Sequence, residues 1–232
     1  IIATTPIARI IYSSNGALWN DDPTVDNQPL WQSGVGRVQF IGIAMAPWGA
    51  PAVYFLNMGV LWVLDFWSRT AYPIEMGSRK LVTGCVYQGL IHVTDGHSVW
   101  QVDPVGREIV RDISPQDRYG LPLALAGGGF RYLYGGEDFL YAVWTSTVFL
   151  SATPSMRLMA YNGSGWTPIS AEIADAVPLF CAVDYLPDIN FSDDPRHIWV
   201  PFSNTLTGTT LKAPHWHLPK EGRSPRQGVD TF

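Results

Sequence analysis

Three short stretches carry residue types that could do chemistry. "HWH" puts His215 and His217 on one face of an extended segment. Two imidazoles are too few for zinc, which takes three or four protein ligands. His197 or an acidic group could join them only through folding, so the segment reads as a solvated one. "DINFSDD" offers Asp188, Asn190 and Ser192 at alternating positions, a partial mimic of the oxygen-rich loops that hold Ca²⁺. It lacks their central Gly and distant Glu, so an Asp/Asn/Ser-rich hairpin loop ending in Pro195 is expected. "GHSVW", Gly96 to Trp100, begins like a nucleophile elbow. It lacks the closing Gly and lies between two strand-like segments rather than at a strand-to-helix turn.

Carboxylates for glycoside hydrolysis must stand about 5–10 Å apart in pairs. Those close to apolar runs are Asp184 and Asp65. Asp184 is the one a hydrolase would use, and a polar strand end is the simpler reading of it. Cys85 and Cys181 both lie in apolar runs, "LVTGCVYQGL" and "VPLFCAVDYL". They read as buried free thiols on equivalent strands. Catalytic residues, metals and cofactors are therefore not expected.

The ten tryptophans divide in two. Trp19, Trp62 and Trp100 follow turns at matching places, and such register-locked aromatics are packing residues. Trp31, Trp48, Trp67 and Trp216 lie outside that register. They are the candidates for binding a partner, because interfaces and sugar-stacking sites both favour Trp.

What must position these groups is a repeat. "GLIHVTDGHSVWQVDP", residues 89–104, reads as strand, turn at Asp95-Gly96, strand. Reworded copies turn at Asn15-Gly16, at Met58-Gly59, near Thr145-Ser146 and near Ser203-Asn204. An unalternating, small-residue-rich run precedes each later copy, and a further short β-like segment follows most of them. The unit is thus four strands, recurring every roughly 40–60 residues, and the tighter spacings match the blade of a β-propeller. "PISAEIADAVP" is the one place for a short helical connection.

The expected fold is all-β: a β-propeller of about five four-stranded antiparallel blades. Their spans are 1–34, 35–77, 78–114, 115–172 and 173–218, with a C-terminal tail at 219–232. The last blade lacks a clear fourth strand. The ring is closed by exchange of a terminal strand or completed by sequence beyond this stretch. The chain opens "IIATTPIARI" without Met and without the pattern of an intact signal peptide. Its start is therefore expected to have been removed, or the chain to be part of a longer one.

Composition narrows the role. Of 232 residues, 47% are hydrophobic and 15% charged, with a net charge of −5. Scattered basic residues argue against a nucleic-acid groove. No run reaches the roughly 18 apolar residues of a membrane helix. A soluble chain poor in charge and rich in loop aromatics suits large obligate interfaces.

Beyond the β-propeller class, "MAYNGSGWTPI" and "SVWQVDPVGREIV" resemble turns in propeller-like repeats of large phage and virion structural proteins. The resemblance implies a non-enzymatic role in an assembled particle, located in a virion or other extracellular particle, with other protein subunits as partners. A glycan-binding propeller lectin is the first alternative and a propeller-fold glycoside hydrolase the second.

Overall fold

The computed structural model describes residues 2–5, 9–12, 29–33, 36–115, 128–136, 138–146, 155–170, 173–174, 176–178, 182–184, 197–199, 202–204, 211–217 and 226–231. For 2–5 and for every strand beyond 173 only the backbone is described. The chain forms two compact units, residues 1–95 with 100–112, and residues 96–99 with 113–232. All described regular structure is β.

The first unit holds three antiparallel sheets. Strands β1 (Ile2–Thr5), β2 (Arg9–Tyr12) and β3 (Trp31–Gln32) form the first in that order. β4 (Val38–Met45), β5 (Pro51–Asn57), β6 (Val60–Asp65) and β7 (Thr70–Ile74) form the second. β8 (Thr83–Tyr87), β9 (Leu90–Thr94), β10 (Val99–Asp103) and β11 (Glu108–Asp112) form the third. Each four-stranded sheet is a meander, every strand pairing with the next. Residues 53 to 56 are buried throughout, so β5 is covered on both faces. One face packs with Ile10, Leu30, Val38 and Leu64. The other contributes Ala52, Tyr54 and Leu56 to a cluster with Ile91, Val93, Trp100 and Val102 of the third sheet. A blade leaves apolar surface on both faces, and only neighbours can cover it.

The turns explain the register. Asn57 faces Val60 across Met58-Gly59, with φ of 53° and 78°. Tyr87 faces Leu90 across Gln88-Gly89, with φ of 50° and 75°. Two positive φ values define the type I′ turn, whose twist matches that of the flanking strands. The expected two-residue turn at Asp95-Gly96 is not of this kind. Four residues separate Thr94 from Val99, and of the pair only Gly96 has positive φ, 98°. Thr145 and Ser146 are not turn residues either. They lie in a strand, paired with Met156 and Ser155. Ser203 is likewise paired, with Leu211. The turn expected at Asn15-Gly16 lies outside the described residues.

The second unit repeats the meander. β12 (Gly128–Gly135), β13 (Leu140–Ser146) and β14 (Ser155–Tyr161) pair in sequence. The far edge of β14 takes β15 (Trp166–Pro168) and β16 (Ile173–Ala174), two pieces of one fourth strand. The short helical connection expected at 168–178 is not seen among the described residues, which there include the strand pieces Ile173–Ala174 and Ala176–Pro178.

The last sheet comprises β17 (Ala176–Pro178), β18 (Ala182–Asp184), β19 (His197–Trp199), β20 (Phe202–Asn204), β21 (Leu211–His217) and β22 (Arg226–Thr231). β19 and β20 pair with β21 in one continuous register: Trp199 faces His215 and Phe202 faces Lys212. β18 pairs with β19, Ala182 facing Trp199, and β17 with β20, Ala176 facing Asn204, the two registers offset by one residue. The six pieces thus make four strands, the fourth being β22, within the stretch read as a tail.

Candidate functional site

In an antiparallel meander the first and third connections fall at the same end of the sheet. For the second sheet these are residues 46–50 and 66–69. The first connection is closed by a hydrogen bond from the Ala46 amide to the Ala50 carbonyl, 2.9 Å, and it presents Trp48. The exposed Trp48 ring stands 6.2 Å from that of Tyr72, tilted by 59°. In the other connection Trp67 is 82% exposed and touches Phe66 edge-on at 5.4 Å. Three large aromatics at one end of one sheet is the pattern of an anchor-rich surface rather than of a core.

The turn beneath Trp67 is rigid. An Asp65 carboxylate oxygen accepts from the Trp67 amide at 2.9 Å, and Arg69 takes a positive φ of 54° to re-enter β7. The Ser68 hydroxyl, followed by the Trp67 and Ser68 amides, holds the Asp65 carboxyl below the usual carboxylate range. The same device recurs. Asp103 accepts from the Val105 amide at 2.9 Å, with Arg107 at φ 56°. Asn162 accepts from Ser164 and Gly165 at 3.0 Å. These local side-chain bonds set the turn before packing does.

Tyr54 anchors the loop end from below. Its fully buried hydroxyl lies 3.2 Å from the carbonyls of Met45 and Pro104. It joins the start of the Trp48 loop to the β10–β11 turn. Burial, partly opposed by Arg107, pushes its pKa up to about 12.

Of the other aromatic candidates, Trp31 is half-buried on β3. Its ring lies 4.7 Å from Phe55 and 6.1 Å from Trp62, so it belongs to the packing core. Trp62 and Trp100 also pack as expected, each with the cluster on the side of the preceding sheet. Trp216 is placed on β21, opposite Ile198. Asp188, Asn190 and Ser192, the calcium-loop candidates, lie outside the described residues, as does Cys181. Cys85 is buried on β8. Among residues with described side chains, no three His, Cys, Asp or Glu cluster as a metal site.

Sequence reasoning misses one feature and leaves a second to folding. His92, on β9, is fully buried, and neither ring nitrogen has a hydrogen-bond partner. Burial pushes its pKa down to about 4, so the ring is neutral at pH 7. Its polar type inside "LIHVT" is the available signal. The second is a register: Asp184 faces His197, and His197 faces His217, on consecutive strands.

No protein-family model matches the chain, and no curated protein matches it. Among solved structures the chain is similar to Kuenenia stuttgartiensis hydrazine synthase. The identity is 16% and the TM-score 0.55, over 100% of this chain and 64% of that one. The chain thus spans less than two thirds of that protein's length. It is also similar to the Vanderwaltozyma polyspora Nup133 β-propeller domain, at 8% identity and TM-score 0.44, over 97% and 70% of the two chains. At 16% identity the likeness to the hydrazine synthase structure is one of fold. The chain has an all-β, β-propeller fold of four-stranded antiparallel blades. No helix among the described residues is long and apolar enough to cross a membrane.

Proposed function

We propose that this chain is a non-enzymatic interaction propeller. It presents the loop end of its second sheet to protein partners in a multi-subunit particle of the kind a phage virion exemplifies. The observation that carries the reading is the set of exposed aromatics at one end of one sheet: Trp48, Tyr72 and Trp67. Burying a large aromatic removes roughly 150–250 Å² from water, and Trp and Tyr dominate binding energy where they are buried centrally. The low charge of the chain, 15% Asp, Glu, Lys and Arg, fits a surface that is covered in use.

The test is incorporation. The double variant Trp48→Ala/Trp67→Ser, expressed in the native host, should fold as the wild type does and fail to co-sediment with the assembled particle. Co-sedimentation at the wild-type level would refute the reading.

A second reading has one observation in its favour. The tilted Trp48–Tyr72 pair is also a platform on which a sugar ring can stack. A glycan array probed with the purified chain separates the two. Binding to a defined glycan, lost in Trp48→Ala, would favour the lectin reading, and a blank array the protein partner.

A further inference from the structure

The β14–β15 connection is the exposed turn Asn162-Gly163-Ser164-Gly165. Asn162 Oδ1 accepts from the amides of Ser164 and Gly165, each at 3.0 Å. The Asn162 amide donates to the Gly165 carbonyl at 3.3 Å, and the Tyr161 hydroxyl to the Gly163 carbonyl at 2.7 Å. Gly163 takes φ 93°, and nothing lies within 4 Å of where its Cβ would stand. Its nitrogen thus follows directly on the asparagine carboxamide, with open space beside it. These are features of an acyl-transfer site: a nucleophile held next to an electrophile, and two N–H donors aimed at the oxygen on which charge develops. The sister turns lack them. Asp65 precedes Phe66, which has a Cβ beside the nitrogen, and its carboxyl is held below the usual range, so it is an ionised and poor electrophile. Asp103 precedes Pro104, which has no N–H. Asn57, before Met58, is buried, and its Nδ2 donates to the Arg37 carbonyl at 3.3 Å.

We infer that Asn162 is a self-modification site, where the chain converts its own asparagine to aspartate and isoaspartate through a cyclic imide. Base removes the Gly163 amide proton, and the nitrogen adds to Cγ of Asn162. As the N–Cγ bond forms, the carbonyl π pair moves onto Oδ1, where the Ser164 and Gly165 amides stabilise it. The Cγ–Nδ2 bond then breaks. Ammonia leaves with a proton from water, which regenerates the base, and a five-membered succinimide is closed. Water opens the ring in turn. Addition at Cγ gives an aspartyl link, and addition at the Asn162 main-chain carbonyl gives an isoaspartyl link. The sum is asparagine plus water to aspartate or isoaspartate plus ammonia, with no change of oxidation state. The aspartyl product keeps the turn, since Asp65 and Asp103 accept from turn amides as carboxylates. The isoaspartyl product routes the chain through an extra methylene and pulls the acceptor off its two donors. Either way an exposed turn gains a negative charge irreversibly.

The experiment incubates the full chain at mildly alkaline pH, in parallel native and in urea. Peptide mapping by mass spectrometry follows the exchange of the Asn162 amide for a carboxyl, and isoaspartyl methyltransferase labels the isoaspartyl fraction. In the native chain Asn162 should convert at a rate equal to or above that in urea, the rate should rise with pH, and both products should form. Gly163→Ala places a Cβ beside the nucleophile and should slow conversion at least about tenfold. The same slowing is expected in urea, so that reading does not depend on whether the variant folds. A native Asn162 that stays intact, or converts more slowly than in urea, overturns the assignment, because the turn would then protect its asparagine. So does conversion to aspartate without isoaspartate, or an unchanged rate in Gly163→Ala, either of which would mark direct hydrolysis of the carboxamide without the imide.

Discussion

The second and third sheets have the same topology and sit face to face, yet they differ where it matters. Both run four strands in a meander, and both close the third connection with an aspartate that accepts from the amide two residues on, Asp65 and Asp103. At the first connection they part. The second sheet spends five residues there and displays Trp48, whereas the third turns in two, Gln88-Gly89. At the third connection the second sheet displays Trp67 and the third Val105. The cores differ in a parallel way. Tyr54 and His92 occupy corresponding places, each on the second strand and on the face turned away from the preceding sheet. The Tyr54 hydroxyl has two acceptors within reach, and the His92 ring nitrogens have no hydrogen-bond partner. The shared features define the fold, and the differences lie at loop ends, at single buried polar groups and in the placement of register shifts.

The largest expected effect breaks the core that the second sheet shares with its other neighbour. Phe55→Ala removes a fully buried ring stacked with Trp62 and should cost about 3–5 kcal/mol in urea unfolding. Ile109→Ala, on the exposed edge strand β11, should cost less than about 0.5 kcal/mol. Equal costs would mean that β5 is not interior.

His92 sharpens the contrast through pH. Its folded pKa, about 4, lies below the unfolded 6.5, so the unfolded chain takes up the proton first. Stability from this group is intact above about pH 6.5, falls with decreasing pH, and is lost by about pH 4. The total is on the order of 3 kcal/mol. Replacing the unpartnered ring by Leu should abolish that acid window and raise stability at pH 7, as equilibrium unfolding at a series of pH values would reveal.

Tyr54→Phe should act in the opposite sense. It strips a satisfied hydroxyl and should cost about 1–3 kcal/mol, with amide exchange accelerating at the β10–β11 turn. The smallest effect is in the turns. Asn favours positive φ more than Met or Gln does, so Met58→Asn and Gln88→Asn should each stabilise by about 0.5–1 kcal/mol.

The repeat is legible because alternation, small-residue runs and Gly-containing turns are local. Met58-Gly59 is recognisable from its own two residues and its flanks. Gln88-Gly89 is overlooked because Gln is an unusual first residue for such a turn, and a continuous apolar run hides the break. The third-connection turns could be read from Asp65, Asp103 and Asn162, each opening a short loop that contains Ser or Gly. Exposure is harder: Trp31, Trp48 and Trp67 look alike in sequence, and the packing of Phe55 against Trp31 decides which is core. The row of Asp184, His197 and His217 is invisible locally, because it depends on register between strands separated by loops of unequal length.

The central claim is that the second sheet's loop end, and not the corresponding end of the third, meets the partner. Incorporating a photocrosslinking amino acid at position 48, 67, 88 or 105, one at a time, and irradiating the native assembly tests it directly. Crosslinks from 48 and 67 to another subunit, with none from 88 and 105, are the predicted result. Crosslinks of equal yield from all four positions, or from 88 and 105 alone, would contradict it.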